Sequence, residues 1–230
     1  MTNVKPEQLN YDKYTDDQYD ADIVNSIPFH KEIHQIIVDT VRSNFNSDKR
    51  YRILDLGVGT GITSEIIQNI LPNSEFTVVD FSEQMLQGAK KKLGDKKVNY
   101  VLGDYSEIDV GKDFNIAVAV IGLHHQNNEG KRKMFKKIYE LLVEDGVLIF
   151  GDLVTYKDKK EASFNDAKHF HHLVENTSDE ESLKEWAYHH QHLNDLAPIE
   201  DQIEWLKEVG FDVDQKFLQM NTSLIICRKS

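Results

Sequence analysis

Apolar positions in this 230-residue chain follow two rhythms. Ile23, Ile27, Ile33, Ile36, Ile37 and Val41 recur at near-helical spacing, which predicts an amphipathic helix over residues 23–45. It is bent or entered near Pro28, because proline lacks the amide donor a helix needs. Short β-rich runs then alternate with helical periods. Strands are predicted at 52–56, 76–80, 98–102, 114–121 and 147–153. Helices are predicted at 62–71, stopped by Pro72, at 83–93, between Ser82 as cap and Gly94 as stop, and at 131–142. Strands that alternate with helices predict an α/β, doubly wound, mostly parallel sheet.

The alternation breaks between residues 156 and 198, where two helical patterns follow each other with no strand between them. The first carries Phe164, Ala167, Phe170 and Val174. The second carries Leu183, Trp186, Ala187, His190 and Leu193, and opens on a capping box of Ser178 with Glu181. This stretch is predicted to form a helical lid. A helix at 199–209 ends at Gly210, and two β-rich runs, 211–220 and 222–228, flank Asn221 as an antiparallel C-terminal hairpin. The length suits a single domain over 1–230, with an N-terminal helical cover (1–48) and the lid (156–198) as parts of it.

Composition narrows the functions open to such a fold. A net charge of −12 disfavours nucleic acid and anionic membrane surfaces, whose binding depends on clustered Lys and Arg. No apolar run is long enough to span a bilayer, and the acidic, tyrosine-rich start lacks the features of a signal peptide, so a cytoplasmic location is expected. Cys227, the single cysteine, lies in the apolar run LIICR and is expected to be a buried, inert thiol. Whether the chain forms a homodimer is left open.

The strongest chemical signal is ILDLGVGTG at 53–61, a strand running into a glycine turn that opens a helix. Gly57, Gly59 and Gly61 allow close backbone approach by a ligand, beside unpaired amides at the helix start. The third glycine of the dinucleotide fingerprint would fall at Ile62, so the pattern is GxGxG and a nicotinamide dehydrogenase is disfavoured. Asp80 ends the second strand in FTVVDFSEQML at 76–86, where a carboxylate can accept both hydroxyls of a ribose. Further on stand VLGDYSEID at 101–109 and VAVIGLHHQ at 118–126.

These ordered motifs resemble the class I S-adenosylmethionine-dependent methyltransferases, in particular a small-molecule subgroup related to carboxy-S-adenosylmethionine synthase. The resemblance covers most of the chain and implies a Rossmann-like, seven-stranded sheet with S-adenosyl-L-methionine as cofactor and S-adenosyl-L-homocysteine as product. It also implies roles for residues. Asp55 and the glycine turn would hold the methionine part, and Asp80 the ribose. Phe81 and Met85 would flank the base, Asp104 with Tyr105 would meet the adenine amino group, and Val120 and Ile121 would pass beside the cofactor. Among the tyrosines of the N-terminal cover, Tyr11, Tyr14 and Tyr19 are candidates to close over it, with Tyr11 and Tyr19 assigned. Glu144 and Asp145 stand where many family members carry Pro and Gly, a departure that affects a turn.

His124 and His125 are the candidate catalytic residues, since imidazole suits general-base work near neutral pH; the competing role is to shape the pocket. Six further histidines lie in the lid: His169, His171, His172, His189, His190 and His192. The pairs His169/His172 and His189/His192 are spaced to share a helix face and could hold a metal or line an acceptor pocket. No metal ligand is assigned from spacing alone. The predicted function is methyl transfer to a small-molecule acceptor by in-line displacement. Its alternatives are a carboxy-S-adenosylmethionine synthase-like enzyme and a non-catalytic S-adenosylmethionine-binding regulator. The synthase would need a cation for a dicarboxylate, yet Arg228 is the sole arginine from residue 151 onward.

Overall fold

The computed structural model describes Leu9 and residues 16–230, with side chains at Leu9 and from Tyr19 onward. Two helices, α1 (Asp16–Ser26) and α2 (His30–Asn44), precede the sheet. The helix expected over 23–45 is therefore two helices. They separate at Phe29, which takes a left-handed φ of 60° one residue after Pro28. Strands β1 (Arg52–Leu56), β2 (Glu75–Asp80), β3 (Val98–Leu102), β4 (Phe114–Val120) and β5 (Leu142–Leu153) alternate with α3 (Ile62–Ile70), α4 (Glu83–Leu93) and α5 (Asn128–Leu141). After β5 come α6 (Lys159–Asn176), α7 (Glu180–His192), α8 (Ile199–Val209), β6 (Phe211–Gln219) and β7 (Thr222–Lys229).

The seven strands form one sheet in the order β3-β2-β1-β4-β5-β7-β6. The first five are parallel, and β7 pairs antiparallel with both β5 and β6. The expected fold class stands. Strand alternation sends successive side chains to opposite faces. Ile53, Ile116, Val118 and Ile149 pack under α2, α3 and α4 with Ile33, Ile37, Ile67 and Ala89. Leu54, Ala117, Leu148 and Phe150 pack on the other face with Phe135 and Ile138 of α5 and Leu206 of α8. Cys227 is free and fully buried in this second layer, and burial raises its thiol pKa.

A third, smaller cluster joins Ile23 and Ile27 of α1 to Leu173 of α6, Trp186 of α7 and Leu153 at the end of β5. The α6–α7 pair thus rests on α1 over the carboxyl end of the sheet. Two local readings need correction. The cap of α7 is Asp179, whose carboxylate accepts from the Ser182 amide at 2.9 Å, in place of Ser178 with Glu181. In the β6–β7 turn the left-handed residue is Met220 (φ 52°), and Asn221 is turned inward and buried.

Gly61 fixes how α3 leaves the glycine turn. Its φ is 90°, and a Cβ there would lie 3.2 Å from the Ala89 Cα of α4. Backbone cannot move aside cheaply, and L-residues rarely take that φ. Gly61→Ala is expected to lower the unfolding free energy by about 1–3 kcal/mol. Urea denaturation with an unshifted midpoint would refute this placement.

Candidate active site

The order β2-β1-β4 places the first strand between the second and the fourth, so the chain leaves β1 in one direction and returns at β4 in the other. A crevice must open at the carboxyl ends of these strands, where the sheet reverses. The loops that line it are built from the motif residues. Gly57 (φ 75°) and Gly59 (φ 54°) take left-handed turns, and the Gly57 and Val58 amides bond to the Val79 carbonyl at 2.9 and 3.0 Å. Asp80 joins the first two strand ends. One carboxylate oxygen accepts from the Gly59 amide at 2.8 Å and the other from the Ser82 amide at 2.9 Å.

Three cavities meet in the crevice, and Tyr19 and Ile121 line all of them. The first, about 580 Å³, is walled by Gly57, Gly59, Asp80, Phe81, Met85, Asp104, Tyr105 and His125. The second, about 440 Å³, contains Asp55, Val120, His30 and His34. The third, about 370 Å³, lies under α6 and α7 and contains His124, His169, His189, His190 and Trp186. Ile121 can serve all three because its backbone is left-handed (φ 55°), an outlier for a β-branched residue, and its amide is anchored to the Gly151 carbonyl at 2.7 Å.

Burial sets the charge state of these groups. Asp55 is fully enclosed and accepts from the Ser64 hydroxyl at 2.7 Å; desolvation pushes its carboxyl up to about 7 despite that bond. Burial likewise raises the Tyr19 and Tyr105 phenols, with Asp80 adding to both. The Tyr105 hydroxyl donates to the Gly122 carbonyl at 3.1 Å, which ties the third loop to the fourth.

The imidazoles are held by oxygen acceptors. His124 Nδ1 lies 2.5 Å from Asp152 Oδ1, and His125 Nδ1 lies 3.0 Å from the Leu193 carbonyl. Their rings are 4.0 Å apart, and His189 stands 5.2 Å from His125, edge on. Desolvation lowers His124 to about 3 and holds His125 well below the ordinary range, so both are neutral. The same effect lifts Asp152 to about 7. Beneath them the fully buried Lys131 ammonium donates to the carbonyls of Gln126 and Asp195, and the Asp195 amide donates to the His124 carbonyl at 2.8 Å. The histidine turn, α5 and the segment after α7 are thereby joined.

Of the sequence-predicted site residues, all from Asp55 to His125 except Gly61 line one of the three cavities, as does Tyr19; Gly61 packs behind them on α4. Tyr11 and Tyr14 lie outside the described residues. The lid pairs do not act as pairs. His169 and His172 bond to the Ser26 and Asn25 carbonyls at 3.1 and 2.9 Å, and His171 faces solvent beside Glu175. His189 and His190 turn inward while His192 stacks on Tyr188 outside. Sequence reading missed Asp152, His30, His34 and Gln126. Asp152, a lone acid closing the apolar β5 run, carried a usable signal; His30 and His34 were hidden inside a helix read as continuous.

Residues 53–146 match the family model for a methyltransferase domain. That match spans less than half of the chain; together with the sheet order and the strand-end motifs it supports the resemblance to the class I S-adenosylmethionine-dependent methyltransferases. It is 23% identical over 194 residues to a malonyl-[acyl-carrier protein] O-methyltransferase of Bacillus anthracis, covering 84% of this chain and 65% of that protein. It is 29% identical over 155 residues to a carboxy-S-adenosyl-L-methionine synthase of Nautilia profundicola, covering 66% and 65%. The chain thus spans just under two thirds of each. An O-methyltransferase family protein from Burkholderia thailandensis shares the fold with a TM-score of 0.64 at 16% identity, over 86% of this chain and 56% of that one.

The buried imidazoles give stability a definite pH dependence. His30, His124 and His169 are lowered to about 3, and His34, His125 and His172 are also lowered. Below pH 6.5 the unfolded chain takes up protons on these rings while the folded chain does not, so stability falls as pH falls. Asp55 and Asp152, raised to about 7, act in the opposite sense between about pH 4 and 7, because the folded state keeps protons the unfolded state has lost. The histidines outnumber them. Thermal unfolding is expected to move to lower temperature from pH 7 to pH 5, with a shallower slope in His169→Gln; a midpoint that rises over that interval contradicts the assignment.

Proposed function

We propose that this chain transfers the methyl group of S-adenosyl-L-methionine to a small-molecule acceptor. One observation carries the reading: the motif-lined cavity and the imidazole-lined cavity meet at Ile121 and Tyr19. That junction would place a sulfonium on one side and a nucleophile on the other. The residues present fit the cofactor. Asp80 offers carboxylate oxygens for ribose hydroxyls, Phe81 and Met85 form an apolar slot for a base, and Asp104 can accept from an exocyclic amine. Asp55 and the glycine turn present a carboxylate and bare backbone to an ammonium group. The cofactor supplies an activated methyl, so the protein's task is to align the acceptor in line with the S–CH3 bond and exclude water.

Tyr19, and by family resemblance Tyr11, would cover the cofactor, and α6 with α7 would act as the lid over the acceptor. His124, oriented by Asp152, and His125 are the groups placed to receive a proton from an acceptor hydroxyl. The chain's acidity supports a cytoplasmic enzyme that acts on a free small molecule and not on nucleic acid or membrane. The carboxy-S-adenosylmethionine synthase reading is weakened by charge, because no lysine or arginine lines any of the three cavities among the described residues. Arg228 pairs opposite Val147, at the far end of β5 from the crevice.

Asp80→Ala removes a charged acceptor that also braces the glycine turn. S-adenosylhomocysteine affinity by calorimetry is expected to drop at least about a hundredfold; near-normal affinity would displace the ribose from this position. A catalyst forms S-adenosylhomocysteine when offered a metabolite extract and none without it, whereas a sensor forms it in neither case.

Binding should also move a proton. An ammonium group beside Asp55 favours its ionised form, so a carboxyl near 7 in the empty protein releases its proton on binding. Affinity for S-adenosylhomocysteine is expected to rise from pH 5.5 to about pH 7 and then level off. A flat profile would place the ammonium elsewhere.

A further inference from the structure

The imidazole-lined cavity has two properties in tension. It faces the place proposed for the acceptor, yet no lysine or arginine lines it among the described residues. Three imidazole rings converge. One nitrogen from each of His124, His125 and His189 lies within 4.8 Å of the other two. They come from separate parts of the fold: the first two from the single 3-10 turn after β4, Leu123–His125, and the third from the last turn of α7.

We propose that His124, His125 and His189 form a binding site for a divalent transition-metal ion of the zinc class, with its remaining positions open to the acceptor. The hydrogen bonds around the rings support this. The Nδ1 of His124 is held by a carboxylate and that of His125 by a backbone carbonyl, so in the neutral rings Nε2 carries the lone pair. A donor bond from the second nitrogen to a carboxylate or carbonyl is the arrangement that orients imidazole ligands on metals. Three imidazoles with no thiolate suit zinc, nickel, copper or iron over magnesium or calcium. The second oxygen of Asp152 is buried and has no hydrogen-bond partner among the described residues, so a carboxylate charge is available next to the dication.

The separations also fit, with one requirement. Tetrahedral ligands at about 2.1 Å from an ion stand about 3.4 Å apart. Nitrogens that lie within 4.8 Å of one another therefore need to close by up to about 1.4 Å, a movement that falls to His189 on α7 because His124 and His125 share one turn. The ion would tie the helical pair to the strand-end turn and would close the chamber as it fills.

The role of the ion rests on the acceptor reading above. Bound there, it would coordinate an oxygen or nitrogen of the acceptor and lower its pKa so that the proton is lost to solvent; His124 and His125 would then act as ligands in place of the proton acceptors of the metal-free reading. It would supply the positive charge that the cavity's side chains lack.

The test uses the full chain, freed of metal by chelator and dialysis. Zinc titrated by calorimetry in the presence of S-adenosylhomocysteine is expected to bind one ion per chain, and cobalt to give visible d–d absorption of a nitrogen-ligated site. His189→Ala is expected to weaken zinc at least about a hundredfold while leaving S-adenosylhomocysteine affinity within about twofold. His192→Ala, with its side chain on the outer face of α7, should change neither. His189→Asp, which keeps a ligand, should restore part of the zinc affinity and shows that loss in the alanine variant is not misfolding. Absence of stoichiometric zinc and of a cobalt spectrum overturns the proposal, as does zinc that persists in His189→Ala. Zinc that binds as expected to a chain that fails to bind S-adenosylhomocysteine supports the ion site and refutes the cofactor reading instead.

Discussion

Everything at the carboxyl edge of this sheet follows from one constraint: β1 sits between β2 and β4, and the connections leave it on opposite sides. A parallel sheet cannot reverse its winding without leaving a gap where the two sets of loops part. The glycine turn, the Asp80 carboxylate and the histidine turn are all strand-end features, so the reversal alone brings together residues more than sixty positions apart. Asp80 then stitches the first two loops through amide bonds, and Tyr105 stitches the third to the fourth. The crevice is held open by its own rim.

Around that opening the protein has buried several imidazole rings, His124, His125, His169, His189 and His190 among them. Desolvation is the dominant influence on His124 and His125, and their Nδ1 partners are oxygen acceptors that favour a single tautomer. The one buried cation nearby, Lys131, is spent on backbone carbonyls: it fastens Gln126 to Asp195 and so fixes the turn on which His124 and His125 stand. A buried ammonium is tolerable because both carbonyls are themselves loop ends with no strand partner. The floor of the chamber is tied together by these bonds, and α7 supplies the remaining wall through Trp186, His189 and His190.

The sheet and the strand-end motifs were legible in the sequence for a simple reason. Parallel strands buried on both faces, such as β4, are nearly continuous apolar runs, and acids stand at or near the strand ends: Asp55 one residue before the end of β1, Asp80 closing β2 and Asp104 two residues after β3. Each such residue is local: its meaning depends on its own strand and turn. The chamber was not legible in the same way, because it is assembled across the chain. His189 meets His125 only through the packing of α7 on α1, and His169 is turned toward Ser26 and Asn221 by contacts that no helical periodicity encodes. Spacing of three along a helix suggested pairs, but burial divided each pair, leaving one ring inward and the other at the surface or on a backbone carbonyl. Asp152 was visible yet overlooked, since an acid at the end of an apolar strand reads as a boundary until a histidine is found against it. At Phe29 the split of the first long helix depended on one left-handed residue, a backbone choice that side-chain patterning does not report.

Tyr19 was introduced as a residue common to three cavities. Seen from the ligands' side, it is a partition. Its ring separates the glycine-turn side from the imidazole chamber, so it bounds both. Helix α1 carries Tyr19 together with Ile23 and Ile27, which pack against Leu173 of α6 and Trp186 of α7. The two compartments share one wall, so the space open to an occupant of either is set by the same ring.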